Sequence, residues 1–189
     1  MQTFNIILCG LGGQGILFMT KVLAQAALSK GFNVMGAETH GMAQRGGSVV
    51  SHLRLGEVSS SLVSTGSAHL LLALEENEAC RNIPFLSQGG RMYVNTDSKI
   101  FPQGETEGFL NKKEITCHSL PAGHLARQLG VPMSSNLALL GFFSAFGEGP
   151  VNHQELREII EDMSPDQFKE TNLKVFDEGL KYHDFIPDV

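Results

Sequence analysis

Phe4-Asn5-Ile6-Ile7-Leu8-Cys9-Gly10-Leu11-Gly12-Gly13-Gln14-Gly15 is the stretch on which the fold turns. Its first six residues form a short apolar run, the pattern of a strand buried on both faces. The run stops at Gly10, and Gly10 to Gly15 satisfies G-x-G-x-x-G. A helix is expected over residues 14–29, with Ile16, Met19, Leu23, Ala26 and Ala27 on one face and Gly31 as its stop. Its polar stripe is narrow (Lys21, Gln25, Ser29), so cover on more than one side is expected. In this strand–turn–helix setting the glycine pattern has a physical meaning. Glycines permit the tight turn and let backbone N–H groups approach an anion, to which the helix N-terminus adds partial positive charge. The same glycines would equally let a helix or a neighbouring chain come close to the sheet.

Working outward, Phe32 to Ala37 reads as a second strand and residues 38–47 as a polar, glycine-studded loop. Ser48 to Leu55 alternates like a third strand, Gly56-Glu57 turns, and His69 to Leu74 is a fourth. A helix is expected from Glu75 to Leu86, a fifth strand from Arg91 to Asn95, and a sixth from Glu114 to Leu120. The weakly patterned residues 97–112 read as a surface excursion. Beyond them the chain turns helical. Pro121 opens one helix, which carries Leu125 and Leu129 and is closed by Gly130. Ser134 or Ser135 caps another that runs through Phe146, with Ala138, Gly141, Ser144 and Ala145 small enough for close packing. Asn152 and Glu155 form a capping box, and Ser164-Pro165-Asp166-Gln167 is a second helix start with Ser164 as cap. Strands alternating with helices, then helices alone, imply a three-layer α/β/α Rossmann-like domain with a mostly parallel sheet and a helical C-terminal segment.

The 189 residues suit a single domain, with 1–147 as a glycine-rich body and 148–189 as an acidic helical segment. Glycine numbers 21, without the every-third-residue period of collagen. The formal charge of −6 argues against general nucleic-acid binding. That charge is uneven: residues 148–189 hold 11 acids and 4 bases (−7), the first 147 hold 9 acids and 10 bases (+1). A neutral, glycine-rich, sparsely charged body suggests a surface covered by something else. Cys9, Cys80 and Cys117 form no C-x-x-C, which excludes a zinc ribbon or cluster motif and fits a reducing cytoplasm. No apolar run is long enough to span a membrane, and no signal peptide is visible. None of the seven histidines has H-x-x-x-H spacing, so no metal site is expected.

Glu38-Thr39-His40-Gly41-Met42-Ala43-Gln44-Arg45-Gly46-Gly47-Ser48 is the second dense polar cluster. A loop after the second strand of an open α/β sheet lies near the crevice at the carboxyl ends of the strands. His40, Gln44 and Arg45 supply a titratable ring, an amide and a fixed cation, a set able to hold an anion; an interface with another subunit is equally consistent. A stand-alone NAD(P) dehydrogenase using Gly10–Gly15 and Glu38 is an alternative, although little chain is left for a substrate domain. A regulatory module binding a nucleotide or coenzyme A is another.

These two loops carry a resemblance. Gly10-Leu11-Gly12-Gly13-Gln14-Gly15 followed by residues 37–56, A-E-T-H-G-M-A-Q-R-G-G-S-V-V-S-H-L-R-L-G, resembles the gamma-type subunits of 2-oxoacid:ferredoxin oxidoreductases, most of all the small subunit of the indolepyruvate branch. The likeness extends through residues 71–80, 89–95 and 140–147. It implies a chain inactive alone, within a complex that decarboxylates an aryl 2-oxoacid, passes electrons to ferredoxin and transfers the acyl group to coenzyme A. Thiamine diphosphate, Mg and iron–sulfur clusters are then expected on a large partner subunit, with no cofactor held by this chain by itself. Gly10, Gly12, Gly13, Gln14 and Gly15 would meet a coenzyme A phosphate or a partner segment. His40, Gln44, Arg45, Gly46, Gly47, Ser48 and Asn136 would face the shared cleft or the interface. Without its partner, the chain is expected to form a homodimer.

Overall fold

The computed structural model describes residues 2–41, 46–98 and 100–185. Its strands are β1 (Phe4–Leu11), β2 (Val34–His40), β3 (Ser48–Leu55), β4 (Ala68–Ala73), β5 (Leu86–Asn95) and β6 (Thr116–Leu120). Its helices are α1 (Ile16–Ser29), α2 (Glu76–Asn82), α3 (Glu105–Lys112), α4 (Ala122–Gln128), α5 (Ser135–Ala145), α6 (His153–Met163) and α7 (Asp166–Lys181). Among the described residues no helix is long and apolar enough to cross a membrane.

The six strands form one sheet in the order β2-β3-β1-β4-β5-β6. β1, β4, β5 and β6 pair in parallel, while β3 runs antiparallel to both neighbours, β1 and β2. The sheet is therefore mostly parallel with one reversed strand. That reversal carries His40 straight across to β3: Glu38 pairs with Ser51, Thr39 with Val50 and His40 with Val49. Residues 38–40, expected in a loop, thus belong to β2.

The period-2 alternation of β1 divides the core. Ile6 and Leu8 face a large cluster built with α1, α5, α6 and α7; Ile7 and Cys9 face a smaller one closed by α2, α3 and residues near Val63. α5 is buried along almost its whole surface, which fits its lack of a polar stripe. It lies against the sheet, with Phe142 and Phe143 edge-on to Tyr93, and α7 crosses its far side. On this face the helices are two deep, so the acidic C-terminal segment is part of the core: Leu156, Ile160, Val175 and Phe176 are fully buried.

Two helix starts differ in outcome. Asn152 and Glu155 form the expected reciprocal capping box on α6. Ser164 does not cap α7: it is the C-terminal cap of α6, and its hydroxyl accepts from Asn172 Nδ2 at 2.9 Å. Residues 97–112, read as a surface excursion, contain α3, whose only buried residue is Leu110.

Candidate functional site

Gly10 to Gly15 joins the carboxyl end of β1 to α1. The loop is tied by the side chain of Gln14. The Leu11 N–H donates to Gln14 Oε1 at 2.7 Å, and the Gln14 N–H donates to the Leu11 carbonyl at 3.1 Å. The Gln14 carboxamide lies over Gly10, so closely that a Cβ at Gly10 would sit 2.7 Å from it. Gly13 and Gly15 have φ of +98° and +84°, the left-handed region that glycine enters without strain. Asn136, buried at the start of α5, donates from Nδ2 to the Gly15 carbonyl at 3.4 Å, and a Cβ on Gly15 would strike its amide. Asn136 therefore supports the loop from behind.

The second loop is bonded to the first. The Gly12 N–H donates to the Gly47 carbonyl at 2.8 Å, and the Gly46 N–H to the Gly12 carbonyl at 3.3 Å. Gly41 N–H closes the base of the second loop on the Ser48 carbonyl at 2.8 Å. Ser48 itself points away, to the opposite face of the sheet. Its hydroxyl donates to the Glu78 carboxylate at 2.6 Å, and Arg81 pairs with the same carboxylate at 2.5 Å. Glu78 is buried, and burial together with this nearby negative charge raises the Cys9 thiol pKa, keeping Cys9 protonated and inert.

Between the loops lies a cleft of about 800 Å³. Its walls are Leu11, Ile16, Leu17, Phe18 and Val49, glycine backbone from both loops, and the His40 ring. The His40 Nε2 lies 3.5 Å from the Glu38 carboxylate. Of the expected site residues, the structure brings Gly12, Gly13, Gly15 and His40 to this cleft. Gly10, Gln14 and Asn136 shape it from behind, Gly46 and Gly47 fasten the loops, and Ser48 is turned away. Gln44 and Arg45 lie outside the described residues. Leu17, Phe18 and Val49 were not foreseen. The signal was present, since Leu17 and Phe18 fall off the apolar face of α1 defined by Ile16, Met19 and Leu23.

Chemically, the cleft offers an apolar surface with one imidazole at its rim. Three loop amides, those of Leu11, Gly12 and Gln14, are already committed within the protein and cannot turn to a phosphate. The described wall residues supply no carboxylate, a donor set that does not suit magnesium with its preference for oxygen ligands.

A Rossmann-like sheet with one reversed strand, and paired glycine loops at its carboxyl end, defines a class of α/β domain. Within that class the particular family is shown by comparison. Residues 5–182 match the family described as pyruvate ferredoxin/flavodoxin oxidoreductase, and the chain belongs to that family. It is 33% identical over 190 residues to the indolepyruvate oxidoreductase subunit IorB of Methanothermobacter thermautotrophicus, covering 95% of this chain and 97% of that one. It is 34% identical over 187 residues to the same subunit of Archaeoglobus fulgidus, covering 93% and 92%. The fold matches the gamma subunit of a keto/oxoacid ferredoxin oxidoreductase from Geobacter sulfurreducens, with a TM-score of 0.76 and 22% identity over 97% of this chain and 99% of that one. The chain is thus homologous to the small subunit of indolepyruvate oxidoreductases and to subunits of other oxidoreductases that act on 2-oxoacids.

Proposed function

We propose that this chain is the small subunit of a thiamine-diphosphate-dependent 2-oxoacid:ferredoxin oxidoreductase acting on indolepyruvate or another aryl pyruvate. The complete reaction consumes the 2-oxoacid, coenzyme A and two oxidised ferredoxins. It yields acyl-coenzyme A, carbon dioxide, two reduced ferredoxins and a proton. A large subunit in the same cytoplasm holds the thiamine diphosphate, magnesium and iron–sulfur clusters in this proposal, with which the lack of a carboxylate among the described wall residues of the cleft is consistent.

The observation that carries this reading is the joining of the two glycine loops around one apolar cleft. Gln14 and Asn136 fix the first loop, the Gly12 bonds to Gly46 and Gly47 fix the second, and His40 is presented at the rim. Such a cleft suits a bound segment of the partner or the apolar arm of coenzyme A, with the His40 ring meeting a polar tip. Gln44 and Arg45 lie outside the described residues; in this proposal their amide and cation bind the same partner. The proposal extends to a homodimer of the chain when it is away from its partner; its exposed apolar side chains include Leu17, Leu28, Leu62, Met133 and Phe168.

Affinity purification of the tagged chain from its native source tests the reading. A large partner with bound thiamine diphosphate and iron–sulfur clusters is the expected result. Recovery of the chain alone, under conditions where clusters survive, would contradict it.

A further inference from the structure

A second cavity lies away from the glycine cleft, along the outer edge of β6. It has a volume of about 1030 Å³. β6 is the last strand of the sheet, and among the described residues no strand pairs with its outer side. The strand itself, Thr116-Cys117-His118-Ser119-Leu120, has no lysine, no proline and no bulge in its pairing with β5, three devices that often blunt an edge. Instead it forms the floor of a groove. One wall is α3, through Glu107 and Leu110, on the face of Cys117. The other is Phe146 with His183 and Asp184, on the face of His118, whose ring packs 4.1 Å from Phe146. The walls stand on opposite faces of the sheet with the strand edge between them, which is the shape of a slot for one more strand.

The slot is charged on one side of the ledger only. Glu107, Glu114 and Asp184 line it, and all three are exposed; the described lining residues include no lysine or arginine. This asymmetry selects the occupant. A second copy pairing edge to edge would bring two sets of these three carboxylates into one groove, and like charges facing across a strand pair are destabilising. A cationic extended segment meets the opposite situation.

We infer that the open edge of β6 receives an extended segment of the large subunit, bearing lysine or arginine, as an added strand between α3 and the His183–Asp184 turn. The inference rests on the reading above that a large subunit exists. Main-chain hydrogen bonds to the edge supply affinity, and alternate side chains reach the two walls and supply specificity. Five strand residues span about 17 Å, so the segment need contribute only about five residues. The carboxylates steer and orient it, which makes assembly sensitive to salt.

Hydrogen exchange over residues 114–120 tests this in the small subunit alone and in the assembled complex. The outward-facing β6 amides are expected to exchange at least roughly tenfold more slowly in the complex. The double substitution Glu107→Lys with Glu114→Lys, and separately Asp184→Lys, should weaken assembly by about tenfold, whereas Glu158→Lys with Glu170→Lys on the acidic helices should change it by less than about twofold. Circular dichroism and thermal unfolding of the free variants establish that they fold, and the exchange measurement needs no variant at all. Assembly with unchanged β6 exchange would overturn the inference and leave the subunit reading intact. Concentration-dependent protection of β6 in the small subunit alone would assign the edge to a second copy and overturn it too. Absence of any assembly would overturn the subunit reading, and this inference with it.

Discussion

The two faces of the sheet are held by different physics. On the face of Ile6 and Leu8, shape decides. α5 and α7 cross where Gly141 meets the Phe176 carbonyl and Gly179 meets the Ala138 carbonyl, and a Cβ at either glycine would strike backbone. On the face of Ile7 and Cys9, the helices are short and polar groups close the structure. Arg54 donates to Asn5 Oδ1 at 2.9 Å, Asn5 Nδ2 to the Ser67 carbonyl at 3.0 Å, and the Val63 N–H to His52 Nδ1 at 3.2 Å. The first face should fail when volume is added, the second when a hydrogen-bond partner or a proton balance is changed. The glycine cleft opens on the first face, where Gly13 serves backbone conformation while Gly10 and Gly15 also make room for the Gln14 and Asn136 amides.

The largest effect is expected from Gly179→Ala. The new methyl group meets a carbonyl rather than a flexible side chain, so the helices must separate, at a cost of about 3 kcal/mol or more. Urea unfolding measures it, and a loss below about 1 kcal/mol would break the shape-held description of this face. Glu78→Ala should cost about 2 kcal/mol by removing the acceptor that joins Ser48 to α2, since hydrogen bonds to a charged group are worth more than neutral ones. Gly13→Ala sharpens the contrast with Gly179. Among the described residues nothing lies within 4 Å of its Cβ position, but φ is +98°, so strain alone should cost about 1 kcal/mol. Its larger consequence should be on assembly or turnover, because it reshapes the cleft.

The smallest effect is a pH dependence. Burial lowers the pKa of His52 below its ordinary value, and the folded state uses the neutral ring as an acceptor for Val63 N–H. Above about pH 6.5 the ring is neutral folded and unfolded, and its contribution is fully present. As pH falls below that value the unfolded chain takes up the proton first, so stability declines until the folded pKa is passed. His69 and His118 are shifted in the same direction, also chiefly by burial. His52→Asn should therefore flatten the decline only in part, as followed by urea midpoints between pH 7 and 5; an unchanged slope would remove His52 from the account.

Much of this was legible in particular residues. The apolar run at Phe4–Cys9 fixed a central strand, the alternation of residues 48–55 fixed β3 to the residue, and Asn152 with Glu155 announced α6. The reversal of β3 was not legible, because alternation marks a strand and its two faces but not its direction. Its consequence, that Glu38 to His40 continue β2, was hidden for the same reason. α3 escaped because a helix burying only Leu110 leaves almost no periodic signal. Ser164 misled because Ser-Pro-Asp is a good helix start locally, while Asn172, eight residues on, competes for its hydroxyl. At the cleft, glycine spacing pointed to the two loops that border it, but sequence could not show that Gln14, Gly46 and Gly47 would occupy the loop's own hydrogen-bonding groups. Nor could it separate Leu17 and Phe18, which line an opening, from apolar residues that fill a core.

The central claim is that this chain works only as part of a two-component oxidoreductase. The direct measurement is anaerobic reduction of ferredoxin with indolepyruvate and coenzyme A by the chain alone, by the large subunit alone, and by the two together. Turnover in the mixture, far above the sum of the separate components, is the predicted result. Turnover by the chain alone, or a large subunit whose rate is unaffected by the chain, would contradict it.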